Sequence, residues 1–131
     1  MVGFSGETDD DFKESLDFVK EIGFMRAHVF IYSVREGTKA AQRTDQVDRQ
    51  TKLKRSKMMI EATEQSEKEF LLSQIGKTFN VLFETSDNGF WYGYTENYTR
   101  VAVPSASNLE GKILKVLIKN VQDGLSFGEL V

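Results

Sequence analysis

The stretch Tyr32-Ser33-Val34-Arg35-Glu36-Gly37-Thr38-Lys39-Ala40-Ala41 puts an arginine, a glycine and a threonine within four positions, directly after an apolar run. No secondary-structure period asks for them there, and loops at strand ends are where function concentrates. A guanidinium beside Gly37 and Thr38 can hold a phosphate or another anionic species, which makes Arg35 a candidate ligand contact. Gly3 and Gly6, in Gly3-Phe4-Ser5-Gly6-Glu7-Thr8, either permit a tight turn or let the backbone lie against a ligand. His28 sits within the apolar run, where a satisfied core histidine is expected ahead of a proton-transfer role. Toward the C-terminus, Trp91, Tyr94, Asn97, Tyr98 and Arg100 form an aromatic-rich group with one cation. Aromatic rings stack on unpaired bases and arginine neutralises phosphate, so these residues are candidates for an RNA face, although aromatic residues in a small fold also fill the core.

Three unlike segments must position these residues. Met1 to Phe4 reads as the end of a strand, and Thr8 with Asp11 three residues later predicts a capping-box start for a helix. Phe12, Leu16, Val19 and Ile22 follow at helical spacing, and Gly23 supplies the stop. Phe24 to Tyr32 is nearly continuous in apolar residues, which predicts a strand buried on both faces, as in a parallel sheet. One such βαβ unit cannot form a core alone. From about Asp45 to Ile75 there is no proline or glycine and abundant Lys, Glu, Gln, Leu and Met, which predicts one long helix, or two with a bend, linking two bodies. After Gly76 the period becomes two. Phe79, Val81 and Phe83 alternate with polar residues, Asp87-Asn88-Gly89 reads as a hairpin turn, and Phe90 to Thr95 continues as a strand. Thr99 to Val103, Leu114 to Ile118 and, after Asp123-Gly124, Leu125 to Val131 complete five short strands, the pattern of a small closed OB-like barrel. The fold class is therefore α+β, with segments 1–44, 45–75 and 76–131.

Composition narrows the function. The 131 residues are 40% hydrophobic and 28% charged, a globular balance. The first residues are too short and uncharged a run for a signal peptide, and no apolar stretch approaches the roughly 20 residues that cross a bilayer. A cytoplasmic chain without membrane contact is expected. There is no cysteine, so the chain itself can offer neither a thiolate nucleophile nor thiolate ligands to an iron–sulfur cluster. Net charge is −3, yet residues 49–75 hold 6 basic and 4 acidic side chains. The basic run Arg49, Lys52, Lys54, Arg55 and Lys57 reads first as a solvated helix face, with RNA contact as the alternative.

The motifs together resemble a known family. Tyr32 to Ala40 is similar to the Y-S-x-R-x-G-T-x-A signature of radical S-adenosylmethionine methylthiotransferases that modify tRNA, preceded there as here by a His-Val-Phe strand (His28, Val29, Phe30). Residues 3–8 resemble the family's G-F-P-G-E-T turn, with Ser5 in place of the proline. Residues 76–131 resemble the RNA-binding TRAM barrel in Gly76-Lys77, Gly93-Tyr94-Thr95-Glu96-Asn97-Tyr98, Val101-Ala102-Val103, Gly111-Lys112-Ile113 and Gly128-Glu129-Leu130-Val131. The His-Val-Phe strand and the Thr-x-Asn-Tyr motif look like the branch acting on threonylcarbamoyladenosine beside the anticodon, with the isopentenyladenosine branch close behind. The acidic D-x-P-E-x-D run of the ribosomal-protein branch is not present.

That resemblance implies a C-terminal portion of such an enzyme: residues 1–44 as the end of the radical barrel, 45–75 as a linker helix and 76–131 as the TRAM domain. The parent would be a transferase using S-adenosylmethionine and two four-iron four-sulfur clusters. Because the cluster-binding C-x-x-x-C-x-x-C loop is missing, this chain alone is expected to bind no cofactor and to be inactive. Gly3 and Gly6 would lie against the methionine or adenine part of S-adenosylmethionine, and Arg35 would hold a phosphate or a cluster-bound sulfur species. Lys77, Tyr94, Asn97, Tyr98, Arg100 and Lys112 would contact tRNA. The partners implied are tRNA and the parent's other domains. A non-enzymatic RNA- or protein-interaction module on an OB-like barrel is the alternative.

Overall fold

In the computed structural model, which describes all 131 residues, Thr8 and Asp11 set the start of the first helix, α1 (Asp9–Ile22). The Thr8 hydroxyl accepts from the Asp11 N–H at 3.1 Å, and the Asp11 carboxylate accepts from the Thr8 N–H at 2.8 Å. Two orphan donors are thereby satisfied, and Asp9, Asp10 and Asp11 face the positive end of the helix dipole. At the other end Gly23 takes the left-handed conformation, φ 64°, and donates to the Val19 carbonyl. Phe12 and Leu16 are the buried residues of α1, and they pack with Val2, Met59 and Ala62.

The second helix, α2 (Arg49–Ser73), runs 25 residues without a break. Its first turn is held by Asp48, whose carboxylate accepts from the Thr51 N–H at 3.0 Å. The uneven spacing of its apolar residues has a direct consequence. Met59 and Ala62 reach a core, while Leu53, Met58 and Ile60 are exposed. The chain divides into two compact units, Met1–Glu67 and Lys68–Val131.

Within the first unit the expected buried strand over residues 24–32 is not formed. One isolated parallel bridge, Val2 with Ile31, stands in its place, made by Val2 N–H to Phe30 O and Tyr32 N–H to Val2 O, both 2.8 Å. The physical reason is the lack of neighbours: a doubly buried strand needs pairing on both edges and cover on both faces, and this unit offers one short partner. Phe24, Phe30, Ile31 and Val34 are accordingly exposed. His28 is exposed as well, so it is not the core histidine that the apolar run predicted.

The second unit holds five strands, β1 (Thr78–Asp87), β2 (Phe90–Thr95), β3 (Arg100–Pro104), β4 (Ile113–Gln122) and β5 (Leu125–Leu130). They close in the order β1-β2-β3-β5-β4, with β3 and β5 parallel and the other pairs antiparallel. This is the OB-like barrel the alternation predicted. Two of its hairpins turn on Asn88-Gly89 (φ 48° and 82°) and Asp123-Gly124 (φ 51° and 75°). Both central residues are left-handed, the geometry that matches strand twist and that Asn-Gly and Asp-Gly favour. Val81, Phe83, Val101, Val103, Leu109, Val116 and Ile118 fill the interior. Gly93 is required where β2 crosses closest to β1, because a Cβ there would strike the Leu82 carbonyl.

Candidate nucleic-acid interface

Strand parity decides what the barrel shows to solvent. Val81 and Phe83 point inward, so Asn80, Leu82 and Glu84 point outward. The register then places Arg100 opposite Tyr94, Tyr94 opposite Leu82, and Leu82 opposite Ile113. These four residues form a row across β3, β2, β1 and β4 on the outer surface, with Tyr94 39%, Leu82 40% and Ile113 66% exposed. Beside it lies a polar row. The Asn80 amide donates to the Glu96 carboxylate at 2.6 Å, and Lys115 stands opposite Asn80 in register. The Glu96 carboxyl is held below its ordinary range by its own backbone N–H and by that amide. Asn80, Leu82, Tyr94, Glu96, Tyr98 and Ile113 line an open pocket of about 610 Å³.

The connection from β2 to β3 is built to hold Tyr98. The Thr95 hydroxyl donates to the Asn97 side-chain oxygen at 2.5 Å, and the Thr99 hydroxyl donates to the same oxygen at 2.9 Å. The Thr99 N–H donates to the Thr95 hydroxyl at 2.9 Å, and the Tyr98 N–H donates to the Thr95 carbonyl at 3.0 Å. Thr95 and Thr99 are buried, whereas Tyr98 is 77% exposed with φ 62°. A tyrosine gains nothing from the left-handed region, which costs about 1–2 kcal/mol for a residue with a Cβ. The turn therefore holds an aromatic ring in solvent against its local preference, which is the kind of strain that marks binding sites.

Of the residues singled out in the sequence, Tyr94, Tyr98 and Arg100 gather on this outer face, and the Arg100 guanidinium lies over the Tyr92 ring, 5.2 Å from its centroid. Asn97 is half-buried and its side chain serves the turn just described. Lys112 is exposed and its Nζ donates to the Asn108 carbonyl at 2.8 Å. Lys77 is exposed, and its carbonyl accepts from the Ile118 N–H at 3.0 Å. Trp91, a candidate for the RNA face with core filling as the alternative, packs against the barrel core, because it has the inward parity of Gly93 and Thr95. Leu82, Ile113 and the Asn80–Glu96 pair were missed. The available signal was apolar residues at two positions whose parity makes them face water.

The first unit places its candidates differently. Gly3 (φ 73°) and Gly6 (φ 83°) are both left-handed, and the Gly3 N–H donates to both Glu7 carboxylate oxygens at 3.0 Å. The side where a Cβ would stand is filled at Gly3 by Lys52 and at Gly6 by the ion-paired Arg43 and Asp45. Neither glycine presents an open cradle, so these residues do not by themselves fit S-adenosylmethionine. Arg35 is exposed in its loop, where its carbonyl accepts from the Thr38 hydroxyl at 2.8 Å. Of the basic run, Arg55 is buried: its guanidinium donates to the Glu7 carboxylate and to Asp9 at 2.7 Å each and sits over the Phe12 ring. Lys52 is half-buried with its ammonium over Tyr32. Two of the five cations thus hold this unit together rather than forming a solvated stripe.

Comparison with known proteins adds to this geometry. A family model described as TRAM domain matches residues 72–131. Among curated relatives, the threonylcarbamoyladenosine tRNA methylthiotransferase MtaB of Bacillus subtilis is 37% identical over 123 residues, covering 90% of this chain and 27% of the relative. The tRNA-2-methylthio-N(6)-dimethylallyladenosine synthase of Pelotomaculum thermopropionicum is 37% identical over 121 residues, covering 90% and 27%. The ribosomal protein uS12 methylthiotransferase RimO of Caldanaerobacter subterraneus is 42% identical over 93 residues, covering 71% and 21%. Among solved structures, the apo form of Mycoplasma genitalium RNase R aligns over 63% of this chain and 17% of its own at 12% identity and a TM-score of 0.43, a likeness too loose to bear on function. The chain carries a TRAM domain and is homologous to methylthiotransferases, and it spans between a fifth and a third of the length of these relatives. Relatives named for two different adenosines match it equally well.

Proposed function

We propose that this chain is the tRNA-docking C-terminal portion of a cytoplasmic radical S-adenosylmethionine methylthiotransferase, whose parent adds a methylthio group to a modified adenosine beside the anticodon. Threonylcarbamoyladenosine is the favoured substrate over isopentenyladenosine, on the His28-Val29-Phe30 and Thr95-Glu96-Asn97-Tyr98 motifs. The observation that carries the docking role is the outer row of the barrel, where Tyr94 and Arg100 stand opposite each other and Tyr98 is held in solvent. Stacking rings and a cation on one face suit unpaired nucleotides, whose bases are free to leave their own stack. Lys77, Asn97 and Lys112 belong to the same proposal as flanking contacts.

The parent's cofactors would be S-adenosylmethionine and two four-iron four-sulfur clusters, the clusters held by cysteines outside this chain, which has none. Gly3, Gly6 and Arg35 are proposed to border the methionine, adenine or sulfur species once the parent's other domains are in place. In this chain Lys52 covers Gly3, and Arg43 and Asp45 cover Gly6. The test of docking is a salt titration of this chain binding unmodified tRNA. Arg100→Ala and Lys112→Ala are each expected to weaken binding and to flatten the salt slope by about one unit per lost phosphate contact. Unchanged affinity and slope in both folded variants would rule out this face.

A further inference from the structure

The pocket on the outer face has a composition that phosphate neutralisation does not explain. Glu84 and Glu96 stand among Leu82, Tyr94, Tyr98 and Ile113. A carboxylate repels phosphate, so the group that Glu96 meets must donate hydrogen bonds. Asn80 fixes one carboxylate oxygen at 2.6 Å, which orients the group, and because two carboxylate oxygens offer about four acceptor positions, capacity remains for further donors. The ligand implied is flat, aromatic and rich in adjacent donors. Among the bases, guanine alone presents two neighbouring donors on its Watson–Crick edge, N1–H and N2–H₂. Adenine and cytosine set their amino group beside an acceptor, and uracil sets its single N–H between two carbonyls.

We propose that this pocket takes an unpaired guanine of the bound RNA, with its Watson–Crick edge on the Glu96 carboxylate and its face on Tyr98. The inference rests on the RNA-docking reading above and adds a base preference to it. An arginine side chain offers a carboxylate the same pair of donors. The surroundings favour the nucleotide: in register Arg100 stands opposite Tyr94 and Lys115 opposite Asn80, so the strands on either side of these pocket-lining residues each carry a cation. These cations attract a phosphate backbone and repel a basic protein segment.

The test measures fluorescence anisotropy of the full 131-residue chain with short oligouridines carrying one central guanosine, inosine, adenosine or cytidine. The guanosine probe is expected to bind about tenfold tighter than the adenosine probe, within the range of a good bidentate base contact. Inosine, which lacks the N2 amino group, should lose most of that advantage, and this comparison needs no variant. Glu96→Gln should abolish the guanosine preference while slightly strengthening binding of plain oligouridine, because a repulsive charge is gone. Tyr98→Ala should weaken all probes by a similar factor. Equal binding of guanosine and adenosine probes, or a preference that survives in Glu96→Gln folded by circular dichroism, overturns the proposal. So does an arginine-rich peptide that binds more tightly than every RNA. RNA binding without base preference overturns this inference alone, whereas no RNA binding at all overturns the docking reading with it.

Discussion

The barrel and the first unit solve the same problem in opposite ways. In the barrel each strand is paired on both sides and the ring closes, so backbone donors and acceptors are satisfied without outside help. Its interior is filled by seven apolar residues, four of them valines. Residues 1–67 bury a smaller cluster, Val2, Phe12, Leu16, Met59 and Ala62, and leave Phe18, Ile22, Phe24 and Phe30 exposed. What replaces apolar packing there is a charged clamp, with Arg55 gripping Glu7 and Asp9 across the turn. The difference shows that apolar sequence is not enough for burial, because an apolar strand is buried only where neighbours exist to pair with it.

The contrast is open to attack on several fronts. Hydrogen exchange should show the largest effect: amides of residues 24–34, apart from the bridged Tyr32, are expected to exchange near the rate of open backbone while those of the barrel strands are protected to the level of global unfolding. Equal protection in a demonstrated monomer would erase the distinction. Phe83→Ala should cost the barrel about 3–5 kcal/mol, because Phe83 is fully buried and the closed wall cannot collapse onto the cavity. Trp91, the single tryptophan, packs on that core, so its fluorescence in urea reads the loss. Arg55→Met should cost the first unit about 3 kcal/mol by leaving the Glu7 carboxylate without its cation, the low end for a broken buried pair because Asp9 is solvent-exposed. Helical circular dichroism should then melt earlier while the Trp91 transition stays put. A shift of both transitions together would mean that the clamp is not local.

The smallest effect is acid sensitivity. Hydrogen bonds from Thr8, Lys13, Arg43 and Thr51 hold Asp11, Asp17, Asp45 and Asp48 below the ordinary aspartate range, and all four lie in the first unit. A carboxyl lowered on folding adds stability that is complete above its unfolded pKa of about 4 and is lost as pH falls through the folded value. The barrel has Glu96 as its one such group. Below about pH 4 the helical transition should therefore fall faster than the Trp91 transition. Parallel decline of the two would argue against it.

Local rules made much of this legible. The capping box at Thr8 and Asp11, the Gly23 stop and the Asn88-Gly89 and Asp123-Gly124 turns all depend on residues a few positions apart, and each formed as the sequence implied. The five strands followed from alternation over whole segments. What local pattern could not supply was the absence of a neighbour, and so residues 24–32 were read as buried and His28 as a core residue. At the site, residue type pointed to Tyr94, Tyr98 and Arg100, whereas Leu82 and Ile113 emerged only once register showed them facing water. Residue type left Trp91 open between surface contact and core filling, and parity sends it inward.

The most direct measurement is a map of backbone amide chemical shifts of this chain during titration with unmodified tRNA. Docking through the outer row predicts the largest changes at Leu82, Tyr94, Glu96, Tyr98, Arg100 and Ile113, with residues 9–34 unmoved. Changes confined to the first unit, or centred on the Lys119–Glu129 ion pair of β4 and β5, would contradict it.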